Sequence, residues 1–405
     1  MRRLWKWLPG VAVAAMVAGS ASVAEAAPQC GLNNGQAATG EPIPVGAIAT
    51  ASGAADISTG TQGAKAYFDC VNANGGINGR PIDFKMEDDQ TRPDKAAELA
   101  KKLVEDHKAV ALIGSSSLVD CIATAQYYEE TGIVSVMAAA VAPHCFAGRN
   151  IAMMNAGPRY GGLGVVKYAV EKLGAKHLVC PQPTVPGADW ICDGMQKYAE
   201  SKGIAFSRFP VDQQTVDNDS FVQQILQTGG DAVLYNGSVP TYVPFLAAAE
   251  RADTGAQLKF LFPMPMFNPD IPKTVGAYWN DRVWVNLEYR PAATSGPDGT
   301  NFLEMMAAAK VPADALAQGG FLAAKLFTET LLKLDPAKID RATVKAALED
   351  VQKFESDLLC TPWSYGPKDA SGRLGNRSGL TAQIHDGAWQ VNDDCITLTD
   401  EEVAE

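Results

Sequence analysis

Histidine is scarce in this chain. Four occur in 405 residues, at positions 107, 144, 177 and 385, and none stands at ligand spacing from another. No C-x-x-C pair occurs, so the common zinc patterns are missing and no metal is expected. H-E-x-x-H and G-x-S-x-G are absent, and "GSSSL" at 114–118 lacks the second glycine of a nucleophile elbow. "GTQGAK" at 60–65 has neither the spacing nor the Ser/Thr of a phosphate loop, and "GGLG" at 161–164 does not directly follow a strand. The pair Asp88–Asp89 shows no acid/base arrangement. These absences leave no enzymatic signature and no cofactor. Positive charge is in deficit, with 34 Lys and Arg against 46 Asp and Glu, a net charge of −12. That argues against nucleic acid or an anionic membrane surface as partner.

Beyond the N-terminus no apolar run is long enough to span a bilayer, which takes about 20 residues, so a membrane-embedded protein is not expected. The N-terminus itself reads as an export signal. Arg2, Arg3 and Lys6 precede the short apolar run "VAVAAMVAG", and "AEA" at 24–26 is a small-residue cleavage site. Residues 1–26 are therefore read as a signal peptide and the periplasm as the destination. Cys30 follows "APQ" rather than a lipobox, which argues against a lipid anchor.

All eight cysteines, 30, 70, 121, 145, 180, 192, 360 and 395, lie after the signal. An even count in an exported chain reads as disulfides. Composition leaves the connectivity open. Nearness in sequence favours Cys180 with Cys192 and Cys121 with Cys145, then Cys360 with Cys395, leaving Cys30 with Cys70.

The remaining length suggests two domains. Short apolar runs alternate with amphipathic stretches. Strand candidates at 43–50, 81–89, 109–114 and 133–140 are separated by helical patterns, clearest in "PDKAAELAKKLVEDH" (93–107), where Pro93 opens the helix. The same rhythm restarts after Met154, with strands at 177–182, 204–210 and 231–237 and a further strand leading into "FLFPMPMFNPD" at 260–270. A helix-rich part (301–355) and a β-like tail (356–395) follow. Such βαβα alternation predicts an α/β fold with parallel sheets flanked by helices.

The stretch "NANGGINGRPIDFKMEDDQTRPDKAAELAKKLVED" (72–106) resembles a hallmark of the type I periplasmic solute-binding proteins of branched-chain amino-acid (Leu/Ile/Val) ABC transporters. The likeness continues through "LIGSSS" (112–117), "GIVSVMAAAVAP" (132–143), "DNDSF" (217–221) and "GGFLAAKLFTETLLK" (319–333) and covers most of the chain. The resemblance implies two Rossmann-like lobes with parallel central sheets joined by a three-stranded hinge. Lobe one would be 27–150 plus 287–357, and lobe two 151–286 plus 358–405. Ligand would bind between them, at the carboxyl ends of the strands. It also implies a monomer that delivers a small molecule to permease subunits of an ABC transporter. A ligand sensor for a membrane receptor would use the same cleft. The glycines and asparagines of 72–79 read as helix end and turn, and so identify the scaffold rather than the substrate.

Amino-acid-binding members hold the ligand's charged groups with a few polar residues. Counted without gaps, their carboxylate-binding serine falls at Leu118, just after Ser115, Ser116 and Ser117. Their Ala-Thr pair falls at Ala140 and Val141, their Tyr-Gly at Pro186 and Gly187, and the acid that pairs with the ligand's ammonium at Met264. With Trp190, Met266 and Phe267 nearby, the implied ligand is mostly apolar: an aromatic or aliphatic carboxylate, or a neutral hydrophobic compound. An amino acid, amide or related polar compound is the alternative. Ser52, Asn236, Ser238 and Glu288 join the three serines as candidate orienting groups. Plain packing is the competing reading for Met264 and Phe267, a helix cap for Trp190, and the hinge for Glu288.

Overall fold

In the computed structural model, residues 28–53, 56–184, 189–212, 215–237, 239–366 and 374–403 are described. The segment read as an export signal, Pro186, Gly187 and Ser238 lie outside them.

Two sheets organise the chain. The first holds β1 (Ile43–Ala49), β2 (Ile82–Asp88), β3 (Ala111–Ile113), β4 (Ser135–Met137) and β5 (Ile151–Met153), all parallel, in the order β2-β1-β3-β4-β5. The second holds β6 (His177–Pro183), β7 (Ala205–Val211), β8 (Ala232–Leu234), β9 (Lys259–Phe262), β10 (Val283–Leu287), β11 (Ser378–His385) and β12 (Ala388–Thr397), in the order β12-β11-β10-β9-β8-β6-β7. Its five strands from β7 to β10 are parallel, and β11 and β12 add an antiparallel hairpin at the β10 edge. Asp386 and Gly387 both take positive φ (46° and 72°), as a tight two-residue hairpin turn requires.

Expectation and structure part at three places. Ile151–Met153 forms an edge strand of the first sheet, beyond the boundary drawn at 150. Three residues carry too little pattern to announce a strand. The helix Pro143–Ala147 also went unread, being barely more than one turn. The proposed strand at 133–140 narrows to Ser135–Met137, beyond which Ala139 keeps only an isolated parallel bridge to Ser116.

The motif at 72–79 does what its residue types demand. Gly75, Gly76, Asn78 and Gly79 all adopt positive φ. The Asn72 side chain locks this turn to β2, accepting from Ile82 N (2.7 Å) and donating to Ile82 O (2.8 Å). The helices Thr59–Ala73 and Ala315–Leu331 then meet at backbone contact, since a Cβ on Gly320 would stand 1.7 Å from Gly60 O.

The helices between 297 and 349 pack on the first sheet through Phe302, Phe321, Phe327 and Leu348, together with Trp363 and Tyr365. The chain therefore passes between the sheets three times: after β5, after β10, and again before β11. All four disulfides form, as Cys30–Cys70, Cys121–Cys145, Cys180–Cys192 and Cys360–Cys395.

Candidate functional site

Loops at the carboxyl ends of the first sheet are organised by Asp89, which is fully buried. Its carboxylate accepts from Thr50 Oγ1 (2.9 Å), from Ser117 Oγ and from Thr91 N (2.8 Å). Thr50 Oγ1 in turn accepts from Leu118 N (3.0 Å), so three strand ends share one network. Ser117 Oγ also accepts from Val119 N and Asp120 N, at the start of the helix Asp120–Thr131.

The candidate serines are all engaged with the protein. Ser115 Oγ accepts from Ile48 N (3.1 Å), Ser116 Oγ donates to Ile57 O (2.7 Å), and Ser52 Oγ donates to Asp88 (2.7 Å). Ser115, Ser116 and Ser117 are buried, whereas Ser52 is exposed. Leu118 is half-buried. Ala140 is buried and clamped by Asn155, which accepts from Ala140 N and donates to Ala140 O. Val141, next in the chain, is 42% exposed, unusual for a large aliphatic side chain.

On the second sheet, the loop after β9 turns tightly, with Met266 N bonded to Pro263 O and Phe267 N to Met264 O. The turn sends the two methionines to different places. Met266 is fully buried in the core with Phe260 and Trp279, whereas Met264 is half-buried. Phe267 packs against Trp389, ring centroids 5.7 Å apart. Asn236, after β8, is half-buried.

Trp190 opens the helix Asp189–Lys202 and joins two aromatic rings, Phe146 at 5.3 Å and Tyr160 at 5.6 Å. Beside this trio lies a groove of about 470 Å³. One wall is the short helix Pro143–Ala147, which follows β4. The other is the helix Asp189–Lys202, with Arg159 of the helix Gly157–Glu171 at its base. Of the residues singled out from the sequence, Trp190 lines this groove. Arg159 went unread there, and the signal for it was one cation in the otherwise apolar helix start "GPRYGG".

Glu288 sits where the chain leaves β10. It is 4% exposed, and burial pushes its pKa up to about 7 against the opposing pull of the Gly157 and Ala156 N–H groups. The helix Gly157–Glu171 starts there, so the carboxylate lies at a helix N-terminus, where negative charge is favoured. Its backbone carbonyl accepts from Asn376 Nδ2 (2.9 Å), and Arg290 N bonds to Leu358 O (2.8 Å). Glu288 thus touches all three segments that run between the sheets.

A family model for periplasmic binding proteins matches residues 42–387, and the chain belongs to that family. Its members are solute-binding proteins of transporters rather than enzymes. An "Amino acid binding protein" of Pseudomonas aeruginosa is 24% identical over 53% of this chain, and a "Leu/Ile/Val-binding protein" of Citrobacter freundii is 25% identical over 53%. The chain spans 58% of the length of these two curated relatives. A solute-binding protein from R. palustris, solved in complex with 4-hydroxybenzoate, shares the fold with a TM-score of 0.72 at 18% identity, over 89% of this chain and 98% of that one. The arrangement of two α/β sheets with three connecting segments is the type I periplasmic binding protein fold.

Proposed function

We propose that this chain, exported by a signal at 1–26, collects a small and mostly apolar ligand between its two sheets and delivers it to an ABC transporter. The observation that carries this reading is position 264. Amino-acid-binding members align an acid there to meet the ligand's ammonium. Here the residue is a half-buried methionine, followed by Pro265, Met266 and Phe267, with no acid before the exposed Asp270. A buried ammonium deprived of its partner costs about 3–5 kcal/mol, so a zwitterion fits poorly. Leu118 and the open Val141 present apolar surface from the facing loops, and methionine suits an adaptable apolar wall. The 4-hydroxybenzoate complex is a precedent for such a ligand on this scaffold. Closure about the three crossing segments would sequester it, and ligand would favour the closed form by its extra affinity for it.

The names of the two curated relatives favour a second reading, an amino-acid ligand anchored by other groups. A thermal-shift screen of refolded, ligand-free protein separates the two. The panel sets leucine and valine against their 2-oxo acids, aromatic acids and neutral hydrophobic compounds. A ligand at a hundredfold excess over Kd stabilises by about 2.7 kcal/mol. Shifts confined to compounds without an ammonium group support the apolar reading, and a shift with leucine or valine alone rejects it.

A further inference from the structure

Among the described residues, Arg159 is a buried cation without a counter-ion. It is 4% exposed, on a helix whose surrounding residues are buried glycines, valines and Leu163. Nη1 donates to Trp190 O (2.9 Å), and the guanidinium lies over the Trp190 and Tyr160 rings, 5.1 and 5.7 Å from their centroids. Nε has no acceptor. No carboxylate among the described residues pairs with it. An arginine used for packing alone would be expected to place its five N–H donors on protein carbonyls, and this one places a single bond. Burial of an unmatched charge is strongly unfavourable, so something outside the chain is needed to supply the negative charge.

The groove beside it has the matching character. Lys197 and His144 are exposed on its rim, and the one acid there, Asp193, is engaged by Arg208 at 2.6 Å. In a protein of net charge −12, this concave surface has the opposite sign and would attract an anion. Its remaining lining, Pro143, Ala147 and the Trp190 ring, is apolar. Gly194 keeps room for the guanidinium, because a Cβ there would stand 3.1 Å from Arg159 Nε. A volume of about 470 Å³ suits a small molecule.

We infer that Arg159 anchors the carboxylate of the ligand, an organic acid whose apolar body lies along Trp190, Pro143 and Ala147. Guanidinium and carboxylate match as a two-bond fork, and the Nη groups, unlike the fully buried Nε, can supply the donors. The inference rests on the apolar-ligand reading above and narrows it to apolar acids. Aromatic and aliphatic acids share this chemistry.

Calorimetry on the full-length mature protein, refolded without ligand, tests it. The probes are benzoate, 4-hydroxybenzoate and hexanoate, each beside its uncharged amide, with inorganic phosphate and leucine as further arms. At least one acid should bind, and should exceed its amide by roughly 100-fold, the scale of a charged hydrogen-bonded pair. Arg159→Gln should erase that preference, and Arg159→Lys should keep part of it. Ligand-free Arg159→Gln should melt no lower than the parent, because it removes an unmatched charge, whereas a packing arginine would lower the melting point when lost. The benzoate and hexanoate arms tell an aromatic from an aliphatic body. Amides equal to their acids, a preference that survives Arg159→Gln, phosphate binding as tight as any acid, or no binding by any acid would each overturn the assignment. Binding by the amides alone would leave the apolar-ligand reading standing, whereas binding by leucine alone would remove that reading as well.

Discussion

The Glu288 carboxylate stands at the N–H groups of Gly157 and Ala156, which oppose the rise of its pKa, so the segment leaving β10 meets the start of the helix that follows β5. Its Oε2 is buried without a hydrogen-bond partner. A space of about 10 Å³ adjoins it, lined by Asn286, Gly161, Gly164 and Gly379. A Cβ on Gly161 would lie 2.9 Å from Asn286 Oδ1, so the glycines of "GGLG" bring this helix down onto two buried polar side chains. A carboxylate where the three crossing segments meet is therefore almost wholly withdrawn from solvent.

The first prediction is a pH dependence. Burial raises Glu288 from an ordinary 4.5 to about 7, and raises Asp120 to about 6. A group whose pKa is higher in the folded state binds more protons there. Its stabilisation is complete below the unfolded pKa and is lost as pH rises through the folded one. Stability should accordingly fall between about pH 4.5 and pH 7, by roughly 3 kcal/mol from Glu288 at about 1.4 kcal/mol per pKa unit. Urea unfolding at pH 5 and pH 8, for the parent and Glu288→Gln, measures this. The parent-minus-variant difference should shrink by that amount across the window, and a constant difference would show that Glu288 does not titrate there.

The disulfides give a graded expectation. Cys30–Cys70 and Cys360–Cys395 close loops of 40 and 35 residues, and Cys180–Cys192 closes one of 12. By chain entropy the longer loops are worth about 3.8 kcal/mol and the short one about 2.8 kcal/mol. Cys360–Cys395 also joins the last crossing segment to β12, so its loss should loosen the hinge as well as the fold. Paired serine variants, compared by denaturant midpoint and by small-angle scattering, should rank in this order. Only the Cys360/Cys395 pair should change the scattering radius of the ligand-free protein.

How much of this was legible depended on how local the cause was. The turn at 75–79 could be read because positive φ selects glycine and asparagine wherever it occurs. The disulfide partners could be ranked because each was the nearest available. Met264 and Met266 could not be told apart, since a single tight turn after β9 decides which enters the core. Ser115, Ser116 and Ser117 read as ligand groups because their acceptors and donors, Asp89, Ile48 and Ile57, belong to other elements. Arg159 went unread. Its burial is set by Trp190 and Gly194, more than thirty residues further along the chain.

The contact of Gly60 with Gly320 fixes the two helices that back the first sheet. A methyl group at 320 would meet the Gly60 carbonyl oxygen at 1.7 Å, and the backbone on both sides would have to move. Gly320→Ala should cost at least about 3 kcal/mol, the upper part of the range for overpacking. Its gain in helix propensity offsets only about 1 kcal/mol. Chemical denaturation reads the result, and a neutral or stabilised variant would show that the helices do not approach this closely.

The ligand reading can be inverted by one substitution. Met264→Glu places an acid at the position that the proposed reading aligns with the acid of amino-acid-binding members, at the half-buried mouth of β9. Without ligand the new carboxylate would be partly desolvated and unpaired, so the variant should be less stable than the parent, by about 1–3 kcal/mol. A ligand ammonium would relieve that cost. Leucine should therefore stabilise the variant more than the parent, by at least roughly tenfold in affinity. Apolar acids should bind less well, because the new charge repels theirs. Calorimetry of parent and variant with leucine and with benzoate measures both changes. If leucine affinity stays fixed while benzoate affinity falls, position 264 faces the ligand but does not reach an amino group. If neither changes, Met264 lies away from the bound molecule, and the apolar reading loses the observation that carries it.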